Sequence, residues 1–173
     1  MSVVPGDPAS LSACAGTARS VAERLAEHAT GVRTASDALA EGWAGRTSAA
    51  TRRRTAGLAA ATEATAAQLD RVGRVLQDHA TDLADLVARG RAVEERARAA
   101  GLELRDGLVE IGWGVTGAAD ADGDRTRAVT QAGLQAELDL VLAQHVRRRD
   151  WVLGVLRDST TSLGDVSHGL RSG

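Results

Sequence analysis

The sequence has no lysine, asparagine, phenylalanine or tyrosine, and only one cysteine, one methionine and two prolines. With Cys14 alone, an internal disulfide is impossible, and neither a cysteine-rich metal site nor a redox pair can form. No run of 18 apolar residues occurs, which excludes a membrane-spanning helix. The opening stretch "MSVVPGDPASLSACAGTARSVAERLAEHAT" lacks a basic start followed by an apolar block, so no conventional signal peptide is expected. Three tryptophans are the whole aromatic content, so the core must be made of Ala, Leu and Val. Such small side chains suit close helix contacts better than wide ligand pockets. The missing amino acids are those with the most A- and T-rich codons, which points to a high-GC genome, most naturally an actinobacterial one. All 21 basic side chains are therefore arginine, and mutation pressure accounts for that as well as function does. A net charge of −2 argues against general affinity for nucleic acid.

What is present is a foldable balance of 43% apolar and 25% charged residues, typical of soluble globular chains. After "VVPGDP", where prolines discourage regular structure, apolar residues alternate at intervals of three and four. The series 11, 18, 25, 32, 39 is a seven-residue repeat, the mark of a helix whose stripe meets a partner helix. Helix one is expected over 8–41. The rhythm resumes after Gly45 through Leu58, Leu69, Leu76 and Leu83 to "RARAAG", giving helix two over 46–100, stopped at Gly101. If straight, it would run on the order of 80 Å; Gly57, Gly73 and Gly90 are candidate bending points. In "GLELRDGLVEIGW" Asp106-Gly107 separates two short apolar runs, which predicts a β-hairpin over 102–111 capping the helix ends. "GVTGAADADGD" reads as a loop, with Asp124 capping a third helix over 125–167. The expected fold is all-α: a single elongated unit in which an antiparallel helical hairpin carries a small β-hairpin at its distal end. Helix three packs back on helix two.

The turn between the first two helices, 42–45, reads "GWAG", and places Trp43 between flexible glycines. A large ring there either plugs the end of the bundle or serves as a recognition handle. "WAG" between two amphipathic helices resembles the WXG superfamily of helical hairpins exported by type VII (Esx) secretion systems, with Trp43 and Gly45 matching its motif over roughly residues 8–100. The following "AAGLELRDGLVEI" and third helix are also similar to the N-terminal leader of actinobacterial polymorphic toxins, whose toxin domain would follow "HGLRSG". The resemblance implies a dimer of hairpins recognised by a secretion ATPase through the W-x-G turn of one partner and a Y-x-x-x-D/E motif of the other. With no tyrosine in this sequence, a small WXG-family partner would have to supply that second element. The third helix departs from the two-helix members and could instead complete the bundle internally.

Other motifs carry less chemistry. His28, His79 and His145 fall on seam positions, and antiparallel pairing of helices two and three sets His79 opposite His145. A polar layer fixing register explains the pair better than a metal, for which two imidazoles are too few ligands. "DADGD" resembles the start of a calcium loop, but Arg125 stands where the required glycine belongs and Gln131 where the final glutamate belongs, so the pattern fails. The "RRR" runs at 52–54 and 147–149 must mostly face water, since three consecutive helical residues span about 200°. Cys14 reads as a small buried seam residue.

Without a nucleophile motif, metal cluster or phosphate loop, no enzyme and no cofactor is expected. The sequence favours a non-enzymatic type VII secretion substrate or effector leader module. Leu11, Leu25, Val32, Leu39, Leu58, Leu69, Leu76 and Leu83 would form its helix-to-helix seams, and Gly42, Trp43 and Gly45 its secretion turn. Its partners would be a small WXG protein or a second copy, and the secretion ATPase; it would act outside the cell or at its surface after a cytoplasmic stage. A cytoplasmic coiled-coil adaptor unrelated to secretion is the alternative.

Overall fold

A computed structural model describes residues 3–40, 42, 45–111 and 121–172. Three helices and one two-stranded sheet follow one another: α1 (Pro8–Ala40), α2 (Arg46–Ala99), β1 (Leu102–Arg105), β2 (Leu108–Ile111) and α3 (Ala121–Ser172). The mainly helical fold, the small hairpin and the packing of α3 on α2 agree with the sequence reading. Tertiary contacts divide the chain into two compact units, one of residues 1–8 and 79–150, the other of 9–78 and 151–173.

In the second unit α1 and the first part of α2 run antiparallel. Pro8 opens α1, where its missing N–H is no loss, and Asp7 before it is a residue type favoured at caps. The closest approach is made by the smallest side chains. Ala15, Ala22 and Ala29 on α1 and Ala59 and Ala66 on α2 are buried at seven-residue intervals, and Gly73 continues the α2 series. A Cβ on Gly73 would lie 3.1 Å from the Ala15 carbonyl oxygen and overlap Cγ of Arg19. Gly73 is thus a close-packing position rather than a bend. Leu11, Leu25, Val32, Leu69 and Leu76 flank this line half-buried. Ser12 donates a 3.0 Å hydrogen bond to Oε1 of Gln77, and Arg33 pairs with Glu63.

Two expectations are corrected here. Cys14 and His28 are exposed, because each sits one residue, or about 100°, away from the buried Ala15 and Ala29. The alanine line, not the large residues alone, sets the phase of the seam.

The first unit is built on the C-terminal part of α2 and the N-terminal part of α3. Helix α2 ends in a turn where the Ala100 N–H donates to the carbonyls of Arg96 (3.0 Å) and Ala97 (3.1 Å). Gly101 follows in the left-handed region at φ 72°, the usual place for glycine after a helix. Asp106 (φ 50°) and Gly107 (φ 82°) both adopt positive φ, as the tight two-residue turn between β1 and β2 requires. The pairing register is Leu102 with Ile111, Glu103 with Glu110, Leu104 with Val109 and Arg105 with Leu108. Leu102 and Val109 drop from the sheet into a cluster with Val93, Ala97, Leu134 and Leu138.

Val109 is paired with Leu104, and its own backbone groups point away from β1. Its N–H donates to Gln135 Oε1 at 2.7 Å and its C=O accepts from Gln131 Nε2 at 2.7 Å, while Gln135 Nε2 donates to the Gly107 carbonyl at 3.1 Å. Two glutamines one turn apart on α3 thereby satisfy the outer edge of β2. Arg96 pairs with Glu137 at 2.6 Å, Arg89 donates to Gln144 at 3.0 Å, and Arg148 pairs with Asp82, an antiparallel sequence of cross-links.

The N-terminal segment is also part of this unit. Val4 is completely buried, its Cγ2 3.0 Å from where a Cβ on Gly90 would be, and Gly6 at φ 120° makes room for the Leu83 side chain. Residues 3–7, with Pro5 among them, are non-helical, Pro8 opens α1, and Val4 anchors the segment to α2. Helix α3 starts at Ala121 rather than 125, and ends at Ser172 rather than 167. Asp122 and Asp124 therefore lie inside its first turn, where carboxylates complement the positive end of the helix dipole. The remainder of the loop read from the sequence, 114–120, lies outside the described residues.

Candidate protein-docking surface

The turn joining α1 to α2 is where the sequence concentrates its candidate recognition residues. Gly42 is exposed, and Gly45 adopts φ 123° with no atom of the described residues, its chain neighbours aside, within 4 Å of where a Cβ would lie. The Gly45 carbonyl accepts the Ala49 N–H at 3.0 Å, so the same residue ends the turn and begins α2. Trp43 lies outside the described residues. Leu39, on the last turn of α1, is 64% exposed. It lines a small recess of about 200 Å³ between α1 and α2, together with Val32, Ser36, Ser48, Arg52 and Thr55.

A larger groove, of about 800 Å³, opens between the first turns of α2 and the last turns of α3. Leu58 and Leu170, each 48% exposed, are among its walls, with Val166 half-buried between small residues. Arg53 and Arg54 line the same groove. From Arg46 to Thr62, α2 carries four arginines and no acidic residue, although the chain as a whole is net negative. The first arginine run thus adjoins an apolar groove. In the second run, Arg148 is paired with Asp82 and Arg149 with Asp150.

Of the seam leucines, Leu83 is buried at 1% exposure, while Leu39 and Leu58 face solvent. Both exposed residues border the two concavities just described. The sequence signal for Leu58 was its seven-residue phase; that it would line a groove depends on where α3 ends up, which no local pattern encodes.

His79 and His145 are both buried in the first unit, and the Nδ1 atoms of both have no hydrogen-bond partner among the described residues. Burial holds the His79 imidazole below its ordinary value, with Asp82 pulling it up and Arg148 pushing it down. Burial likewise lowers His145, reinforced by Arg149 and by His79 itself, since both desolvation and neighbouring positive charge disfavour the protonated ring. The histidines expected to face each other across α2 and α3 do interact. Both are buried, which favours the neutral ring. Among the described residues, no group of three or more His, Cys, Asp or Glu side chains is placed to hold a metal ion. No described helix is long and apolar enough to cross a membrane.

What this surface can do chemically is bind: it presents exposed leucines, glycines at a turn and guanidinium groups. No protein-family model, curated protein or solved structure matches this chain.

Proposed function

We propose that the chain is a non-enzymatic, WXG-like docking module: a type VII secretion substrate, or the leader of an effector, that pairs with a helical partner and offers its α1–α2 turn to the export machinery. The observation that carries this reading is the turn itself. Two antiparallel helices in seven-residue phase are joined through "GWAG", whose Gly42 is exposed and whose Gly45 adopts a positive φ. A turn that only closed the bundle would be expected to bury its surroundings, yet Leu39 beside it faces solvent. The W-x-G resemblance supplies the class of partner and the route. A partner that carries the tyrosine motif absent from this sequence completes the signal.

The test is export. The protein is quantified in culture filtrate from matched hosts with and without a functional type VII secretion ATPase, with a candidate WXG partner co-expressed and a cytoplasmic marker as lysis control. ATPase-dependent appearance outside, lost in Trp43→Ala with helicity retained, is the expected result. Retention of the wild-type protein in both hosts would overturn the reading in favour of a cytoplasmic helical adaptor.

A further inference from the structure

The groove between the first turns of α2 and the last turns of α3 differs in charge from the chain that contains it. Its described lining is apolar or small except for Arg53 and Arg54, and these, with Arg52 beside the smaller recess, form no ion pair among the described residues. No acidic side chain lines it among the described residues. The two adjacent guanidinium groups that line the groove with the exposed Leu58 and Leu170 lack, among the described residues, the carboxylates that the chain uses elsewhere, as at Arg33–Glu63 and Arg148–Asp82. Charge complementarity therefore asks for an acidic occupant, and the leucines ask for an apolar one.

The shape narrows the choice further. The α2 wall runs from Ala50 to Ala61. That stretch covers three helical turns, about 16 Å, which matches anchors spaced i, i+3 or i+4, and i+7 on a docked helix. Among the described residues, Gly57 has no atom outside its own helix backbone within 4 Å of where a Cβ would lie, so a second backbone can approach this wall closely. A small ligand would need several convergent polar groups to orient it. Here the two guanidinium groups come from adjacent residues of one helix.

From these observations we infer that the groove receives an amphipathic α-helix of a partner protein, with an apolar stripe seated against Leu58, Val166 and Leu170 and glutamate or aspartate flanks meeting Arg53 and Arg54. The inference rests on the reading of the chain as a docking module, but not on export. It assigns the partner's charge and the face it uses, neither of which the turn motif specifies.

The probe is a synthetic helical peptide with leucines at i, i+3, i+4 and i+7 and glutamates on both flanks. It is titrated into the full chain by fluorescence anisotropy beside a version with lysine for glutamate. Two exposed ion pairs, each contributing up to about 1 kcal/mol, correspond to roughly a tenfold change or somewhat more in affinity. The glutamate peptide should bind about tenfold more tightly than the lysine peptide. R53E/R54E should reverse that preference, and Leu58→Ser should weaken both peptides with the circular dichroism unchanged. Higher salt should reduce the charge preference.

Absence of saturable binding by the glutamate peptide, or binding that ignores R53E/R54E and Leu58→Ser alike, would overturn the assignment. So would recruitment to phosphatidylglycerol vesicles through Arg53 and Arg54 without peptide binding, which would make the surface a membrane contact. The export test stays separate: binding insensitive to the groove variants sinks the groove and leaves the docking reading, whereas retention in the cytoplasm sinks export and leaves the groove.

Discussion

Alanine at Gly73 and at Gly57 should move stability in opposite directions, although both are interior glycines of the same helix. In an exposed helix interior, replacing glycine by alanine gains about 1 kcal/mol, because the freer glycine backbone loses more entropy on folding. At Gly57 nothing among the described residues outside the helix's own backbone lies within 4 Å of the added methyl, so the whole gain should appear. At Gly73 the methyl would sit 3.1 Å from the Ala15 carbonyl oxygen and overlap Cγ of Arg19. Relief requires α1 and α2 to move apart along the Ala15, Ala22, Ala29 line. Overpacking of this kind costs about 1–3 kcal/mol, which exceeds the propensity gain. The two variants should therefore differ by about 2 kcal/mol, or roughly 4–8 °C in Tm for a chain of this size. Far-UV circular dichroism melts and urea titrations of the two proteins measure the gap. Arg19→Ala should rescue part of the Gly73→Ala loss, since the two residues touch and their effects couple. If Gly73→Ala stabilises as much as Gly57→Ala, the close approach of the helices is wrong and Gly73 is only a weak point in α2.

Leu138 is fully buried among Val93, Ala97, Leu102, Val109 and Leu134. Its truncation to alanine should cost about 2–5 kcal/mol, read as a lower urea midpoint. Gln135→Ala strands the Val109 N–H without its 2.7 Å partner. That loss should cost about 1–3 kcal/mol, with faster amide exchange at Val109 as the local signature. Burial lowers both His79 and His145 in the folded chain, so the unfolded chain binds more protons. Stability should be full above the ordinary imidazole value of 6.5 and fall as the pH drops below it toward the lowered folded values. Urea midpoints of wild type and H79Q/H145Q between neutral and mildly acid pH check this, and an equal slope in both proteins would refute the buried neutral layer.

What could be read from the sequence follows the range over which each signal acts. The β-hairpin was legible to the residue because Asp106 and Gly107 take positive φ, a requirement that the turn carries in its own two residues, whatever surrounds them. The facing of His79 and His145 was legible because antiparallel pairing of two helices fixes every opposite pair once one is placed. The start of α3 was missed by four residues because an aspartate suits a cap and a first turn alike, and Asp122 and Asp124 take the second role.

The seam is more instructive. Reading large apolar residues finds Leu11, Leu25, Leu69 and Leu76, which flank the contact, and overlooks Ala15, Ala22, Ala29, Ala59 and Ala66, which make it. The seven-residue alanine series is in the sequence, yet alanine is so abundant that its phase is hidden by alanines facing water, such as Ala26 and Ala64. Only Gly73, whose missing Cβ has a specific neighbour, reveals how close the helices come.

The same limit governs the candidate site. Gly42 and Gly45 announce a turn through local chemistry, whereas the groove beside Leu58 exists because α3 returns to place Val166 and Leu170 opposite it. Leu58 keeps the heptad phase of α2 but ends 48% exposed, since the position that packs beside it is the buried Ala59. A large residue displaced from its seam by a smaller neighbour still lies next to the interface, and its apolar surface becomes available to another helix. Close packing of alanine and the exposure of leucine are thus two consequences of one seam, and the second supplies the apolar surface on which the proposed docking relies.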